Sequence, residues 1–302
     1  MTDGDATRAR AGGSARLNQP LAGLRVLDLA QGVAGPYAAR LLGDLGASVI
    51  KVEPPGGDYA RALGPFPDGA PNPERSGMFL YLNTGKRSIV LDLQRASHRE
   101  TALRLAGSVD VVIESFAPGE RAQLGLDLNT LRSLRRALVL VSATPFGQTG
   151  PPAVWRGNDL IAFHSSGFAF GFPALEVDNP TLPPLNAPTY AGEFLAGVVA
   201  ASAAMHGVLA AEDSGQVCQL DVSLQEAVAA ANNSQFNRVR KDARGVVRRS
   251  FSDKPSNTAA RTRCFRLRRS NAWRVCSSAR QRTFWRPRNF PHGSFLLKST
   301  AW

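Results

Sequence analysis

The chain has 302 residues, enough for one large domain or two ordinary ones, and its hydrophobic share of 43% can fill a core. Its formal net charge of +12 looks like that of a nucleic-acid binder only until it is divided along the chain. Residues 238–302 hold 18 Lys+Arg against Asp242 and Asp253, whereas residues 1–237 hold the other 18 against 22 acidic residues, so a mildly acidic body carries one basic C-terminal segment. Cys264 and Cys276 lie in that segment too, which leaves Cys218 alone in the body and excludes a disulfide framework or a cysteine zinc site there.

The first twenty residues have no apolar stretch of signal-peptide length and read as a flexible lead-in. "LRVLDLA" (24–30) predicts a buried parallel strand, and "GPYAARLLGDLG" predicts a helix with Pro36 in its first turn and Gly46 at its end. "SVIKVE" (48–53) predicts the second strand. "RSIVLDL" (87–93), "VDVVIES" (109–115) and "ALVLVSAT" (137–144) are strand-like, with helical segments near 97–107 and 129–136 between them. Strands alternating with helices predict an α/β fold with a Rossmann-like, doubly wound parallel sheet.

"NDLIAFHSSG" opens a further helix, and a Pro/Gly-rich loop fills 171–190. The longest uncharged run, Phe194–Ala211, contains Ser202 and His206 and predicts a buried helix rather than a membrane span. A strand "QVCQLDVS" and a helix "LQEAVAAANNSQF" follow. Residues 238–302 show neither helical nor strand periodicity and mix Arg, Ser, Cys and Trp. A nucleic-acid arm and a disordered basic tail are weaker readings of this segment than an aberrant continuation of the gene. A cytoplasmic location is expected for the whole.

The turn "QGVAGP" (31–36) is not G-x-G-x-x-G, so a nicotinamide-dinucleotide fingerprint is absent. Four longer stretches are more specific: "AGPYAARLLGDLGASVIKVEPPGGDYAR", "LNTGKRSIVLDL", "VDVVIESFAPGERAQLGL" and "FGQTGPPAVWRGNDLIAFHSSG", in that order. Through them the chain resembles the family III CoA-transferases, the CaiB/BaiF family, from about Leu21 to about Phe236. The resemblance implies transfer of CoA from an acyl-CoA donor to a free carboxylic acid, with the CoA thioester as substrate and no permanently bound cofactor. It implies an interlocked homodimer; from the composition no membrane partner is expected, and nucleic acid is the least favoured partner. It also implies a division into a lead-in (1–20), the first section of the CoA domain (21–237) and a segment unlike the family (238–302), with the small domain absent or incomplete.

Residue by residue, the family's catalytic aspartate falls on Glu193, in "GEFLAG" at the start of the helix after the Pro-rich loop. A carboxylate there attacks the thioester to give an anhydride and then a glutamyl-CoA thioester. The helix N-terminus is expected to favour its ionised form, and the small residues Ala191 and Gly192 to leave room for the thioester. Glu is one methylene longer than the family's Asp, and a displacement of about 1 Å can lower a rate about 100-fold unless the pocket suits it. Without the resemblance, an acidic residue in a first helical turn needs no chemistry.

The resemblance puts CoA contacts at Val33 and Ala34, at Leu91, Asp92, Leu93 and Gln94, at Ser115, Phe116 and Ala117, at Gln123, and at Thr144, Pro145, Phe146 and Gly147. Pro54, Gln94 and Gln123 stand where better-known transferases are basic, so phosphate neutralisation would fall to Lys51, Arg61, Lys86, Arg87 or Arg121, each of which reads equally well as a solvated surface charge. The racemases of the family carry a "GHD" where this chain has Gly157-Asn158-Asp159, and Asn exchanges no proton near neutrality. His164, on another face of the helix, is expected to be a packed core residue. Transfer is thus favoured over α-methylacyl-CoA racemisation. A non-catalytic CoA-binding remnant is the rival outside the enzymes.

Overall fold

The computed structural model describes residues 19–135, 137–171, 176–177, 185–232 and 249–250. The expected alternation is present. β1 (Arg25–Asp28) leads through α1 (Ala34–Asp44) to β2 (Ser48–Glu53), and α2 (Gly77–Asn83) precedes β3 (Arg87–Val90). Next come α3 (Ala96–Gly107), β4 (Val111–Glu114), α4 (Glu120–Gln123), α5 (Leu128–Leu134) and β5 (Val139–Thr144). α6 (Asp159–Ser165), the short β6 (Glu176–Val177), α7 (Ala191–Ser214), β7 (Cys218–Ser223), α8 (Leu224–Ala231) and β8 (Arg249–Ser250) complete the described elements.

Six strands form one parallel sheet in the order β3-β2-β1-β4-β5-β7, and β6 pairs with β8 in a separate parallel ladder. The order reverses between β1 and β4. In such sheets the crevice beyond the C-terminal ends of the two strands is where ligands bind.

Alternate residues of the central strands enter two cores. Val26, Val111, Ile113, Val139 and Val141 pack with Ala38, Leu42, Ala196, Ala200 and Ala204 of α1 and α7. Leu27, Val112 and Leu140 pack on the other face with Ala102, Ala106 and Leu131 of α3 and α5. β4 and β5 are buried along their whole length, as their unbroken apolar runs require of strands covered on both faces. β3 differs from its apolar appearance: it is an exposed edge, with Val90 58% accessible.

The run Phe194–Ala211 is part of α7, and the expectation of burial holds for one face. Ala196, Gly197, Ala200, Ala204 and Gly207 are buried, whereas Val198, Val199, Met205 and Leu209 are exposed. By length and composition alone α7 could cross a membrane, but its small residues serve close packing. A Cβ on Gly197 would lie 2.7 Å from the Ala34 carbonyl oxygen, and one on Gly207 would lie 2.8 Å from Val139. α7 stops at Gly215, whose φ of 64° suits the left-handed cap that glycine adopts freely. Of the basic C-terminal segment only the backbone of β8 lies within the described residues; the expectations for the remainder fall outside them.

Candidate active site

Glu193 lies in the first turn of α7 and is only 7% exposed. Its Oε2 accepts a hydrogen bond from the Val33 N–H at 3.1 Å, and the Ala34 N–H also reaches the carboxylate. These two amides open α1, whose N-cap residue Val33 supplies no side-chain acceptor. Glu193 therefore answers the orphan donors of another helix. Its own N–H donates to Asp159 Oδ1 at 2.8 Å, and the Gly192 N–H binds the same carboxylate.

The helix N-terminus does not decide the charge of Glu193. Burial, then the negative charge of Asp159, push its carboxyl up to about 7 against the pull of the Val33 and Ala34 amides. Desolvation and a like charge outweigh the helix-end effect, which is worth at most about 2 kcal/mol. Burial also raises Asp159, opposed by its two amide bonds. Nor does Gly192 leave room for substrate. A Cβ there would meet Asp159 Oδ1 at 2.9 Å and Val228 at 3.2 Å, so the missing side chain is taken up by packing.

The turn that presents the Val33 and Ala34 amides is held from below by buried charges. Asp58 Oδ1 accepts from Gly32 N–H at 2.8 Å and from Ala60 N–H at 2.9 Å, while its Oδ2 pairs with Lys51 Nζ at 2.7 Å. Lys51 also donates to the Ala30 carbonyl and lies 3.8 Å from Asp28. Lys86 joins Asp28 at 2.8 Å, the Pro36 carbonyl at 2.7 Å and Asn83 at 2.9 Å. Tyr59 is 54% exposed as a residue, yet its hydroxyl end abuts Gly32, where a Cβ would lie 1.7 Å from the oxygen. Burial of that hydroxyl, with the nearby charges of Glu193, Asp58 and Tyr190, raises it above the ordinary tyrosine range.

This network holds two of the five cations expected to neutralise phosphate. Lys51 and Lys86 are buried with Asp28 and Asp58. Arg61 is bonded to Glu53 at 2.7 and 3.1 Å. Burial would raise Glu53, but Arg61, Ser88 and the Asp58 N–H together outweigh it and hold the carboxyl at about 2. Arg121 is bonded to Glu114 at 3.2 Å and to Ser142 at 3.3 Å. Arg87 donates to Ser48 Oγ at the start of β3, the end of the strand opposite the crevice. A pattern of basic residues along a sequence does not reveal which charges are consumed internally.

Except for Gln123, the residues expected to contact CoA end or follow strands at their C-terminal ends, but they do not form one cluster. Val33 and Ala34 meet Glu193 directly. Ser115, Phe116 and Ala117 follow β4, and Thr144, Pro145, Phe146 and Gly147 end or follow β5. The Gln31 N–H donates to Ser115 Oγ at 3.0 Å, and Gln148 Nε2 donates to the Phe116 carbonyl at 2.8 Å, so these loops are tied to one another. Leu91, Asp92, Leu93 and Gln94 follow β3 at the far edge. There the Asp92 N–H donates to His98 Nδ1 at 2.9 Å, and Arg99 donates to the Leu93 and Gln94 carbonyls. Leu91, Thr144 and Phe146 are buried, the Thr144 hydroxyl has no hydrogen-bond partner among the described residues, and Gln123 is exposed at the end of α4.

Asn158 is the N-cap of α6, its side chain accepting from the Ile161 N–H at 3.1 Å. His164 is half-buried rather than core, with its ring edge-on to Phe163 at 5.9 Å. Among the described residues no group of three or more His, Cys, Asp or Glu side chains is placed to hold a metal ion. Sequence reasoning missed Asp58 and Tyr59, and it treated Asp159 only as half of a proton-exchanging pair. The "GGD" after β2 was the available signal for Asp58.

The family model for CoA-transferase family III matches residues 21–288. The succinate–glutarate CoA-transferase of Agrobacterium fabrum is 39% identical over 223 residues, 72% of this chain and 54% of that protein. A subunit of the succinyl-CoA:(R)-benzylsuccinate CoA-transferase of Thauera aromatica is 36% identical, over 77% of this chain and 55% of that one. The chain thus spans about half the length of these curated relatives. The crystal structure of a CaiB/BaiF family protein from Brucella suis superposes with a TM-score of 0.68 at 31% identity, covering 77% of this chain and 60% of the other.

Proposed function

Since the chain belongs to CoA-transferase family III, we propose that its site transfers CoA between an acyl-CoA thioester and a free carboxylic acid, with Glu193 as the nucleophile. The observation that carries this reading is the buried Glu193 carboxylate held by the Val33 and Ala34 amides beside the crevice at the β1/β4 switch point. The CoA moiety is assigned to the loops after β1, β3, β4 and β5. The relatives named above, as CoA-transferases of succinate, glutarate and benzylsuccinate, support a carboxylate acceptor.

A Glu193 oxygen attacks the thioester carbonyl carbon, the C–S bond breaks, and CoA leaves as the thiolate. The thiolate attacks the Glu193 carbonyl of the resulting anhydride, releasing the donor carboxylate and leaving glutamyl-CoA. The acceptor carboxylate attacks that thioester, giving a second anhydride and thiolate. The thiolate then takes the acceptor's acyl carbon and returns the Glu193 carboxylate. No proton is consumed, so an ionised nucleophile and two fixed amide donors are the main requirements. The Val33 and Ala34 N–H groups are placed to stabilise the oxygen of Glu193 on which charge develops.

Asn158 supports transfer over racemisation, because its amide is engaged as a helix cap and cannot exchange a proton. The interlocked homodimer belongs to the same reading, and light scattering of the purified chain tests it. The test of the chemistry is to incubate the chain with acyl-CoA and hydroxylamine and locate the hydroxamate by mass spectrometry. Modification of Glu193, absent in Glu193→Gln, is the expected result. Modification elsewhere, or α-proton exchange of a 2-methylacyl-CoA in D₂O that depends on Glu193, overturns the assignment.

A further inference from the structure

α7 begins without a cap of its own. Thr189 and Tyr190 both lie in the left-handed region, at φ 58° and 55°, and Tyr190, the N-cap residue, offers no side-chain hydrogen bond. Non-glycine residues held there are strained, and two in succession need support from the surrounding structure. That support comes from another helix. Asp159, the first residue of α6 and 5% exposed, accepts the N–H groups of both Gly192 and Glu193. Gly192 has to be glycine for this approach, since a Cβ would lie 2.9 Å from Asp159 Oδ1. The arrangement then repeats one step further on: Glu193, fixed by Asp159, caps α1.

We propose that Asp159 is the positioning residue of this site: it caps α7 from outside, fixes the direction in which Glu193 leaves the helix, and faces it with a second negative charge. The proposal rests on the reading of Glu193 as nucleophile for its catalytic meaning, but the coupling of the two carboxylates does not. A displacement of about 1 Å matters greatly for a nucleophile, so a cap that sets the first turn sets the reaction geometry. The charge has a distinct effect, making Glu193 a more basic and more nucleophilic carboxylate once ionised.

The groups that face Glu193 among the described residues can be named. Asp159 comes from α6, Asp58 and Tyr59 from the segment after β2, and the Val33 and Ala34 amides from α1. Asp58 is balanced by Lys51 at 2.7 Å, whereas Asp159 is met by the backbone amides of Gly192 and Glu193. Asp159 is therefore the charge whose removal Glu193 should register most strongly.

The experiment compares Asp159→Asn and Asp159→Ala in the full chain. Asn keeps an acceptor oxygen and removes the charge, whereas Ala removes both. The first readout needs no turnover: the ¹³C-carboxyl resonance of Glu193, identified by its loss in Glu193→Gln, is titrated by NMR. In Asp159→Asn its midpoint should fall by about one pH unit. Hydroxamate formation from acyl-CoA should become half-maximal at a correspondingly lower pH. Asp159→Ala should melt several degrees below Asp159→Asn, or fail to fold, because only Asn rescues the cap. An unchanged Glu193 midpoint in Asp159→Asn overturns the coupling, and equal melting of the Asn and Ala variants overturns the cap. If the midpoint falls as expected but no variant, nor the parent chain, yields hydroxamate, the coupling stands and the nucleophile reading fails.

Discussion

Glu193→Gln should make the protein more stable at pH 8 than the parent chain, and about equally stable at pH 4.5. The folded environment raises the Glu193 carboxyl from its ordinary 4.5 to about 7, chiefly by burial and then by the charge of Asp159. The folded state therefore holds this proton more tightly than the unfolded state. Stability linked to the group is complete below about pH 4.5, falls as pH rises, and is fully lost above about pH 7. The whole difference corresponds to about 3 kcal/mol, and relaxation around a charged side chain brings the measurable part to about 1–3 kcal/mol. Gln keeps an acceptor for the Val33 amide and carries no charge at any pH. Urea unfolding by circular dichroism, at half-unit steps from pH 4.5 to 8.5, measures both chains. A stability gap that stays constant across this range, or a variant less stable at pH 8 than at pH 4.5 relative to the parent, would refute the reasoning. If Glu193 is the nucleophile proposed above, the site tolerates a charge that costs stability because the reaction needs it.

The same shift predicts that hydroxamate formation through Glu193 rises with pH and levels off above about pH 7; a flat profile from pH 5 to 8 would count against it. Lys51→Met leaves Asp58 without its cation and should destabilise by about 3–5 kcal/mol in urea, since breaking a buried pair strands a charge. Gly197→Ala forces a Cβ to within 2.7 Å of the Ala34 carbonyl and should destabilise by about 1–3 kcal/mol while lowering acyl transfer, read by melting and trapping together. Glu53→Gln should be less stable than the parent at pH 7, with the gap closing as pH falls from 4.5 towards about 2, because the depressed carboxyl contributes only while ionised.

Much of the candidate site can be read along the chain. "QGVAGP" is a strand–helix turn in both sequence and structure, and "GEFLAG" opens a helix whose third residue is the acid. Helix ends are legible where their caps are local. Ser76 accepts from the Phe79 N–H, Asp127 from the Asn129 and Thr130 N–H groups, and Ser223 from the Glu226 N–H. α1 and α7 are different, because their acceptors come from Glu193 and Asp159, 160 and 34 positions away in sequence. No local pattern encodes a cap delivered by another helix.

The sequence by itself determined the alternation of strands and helices, because hydrophobic period and turn residues act over a few positions. It also determined that an acid stands at the start of the long Ala-rich helix, since Gly192 and Glu193 are adjacent in the chain. Only the tertiary structure decided the state of that acid. Its helix end argued for a carboxylate that ionises readily, but burial and Asp159, brought in from α6, reversed the direction. Tertiary structure also decided which cations are free, for Asp28 on β1 pairs with Lys86, just before β3, and lies 3.8 Å from Lys51 on β2. The reason is the same in both cases. Burial and Coulomb energy depend on distance and dielectric in three dimensions, and neither is encoded in the spacing of residues along the chain.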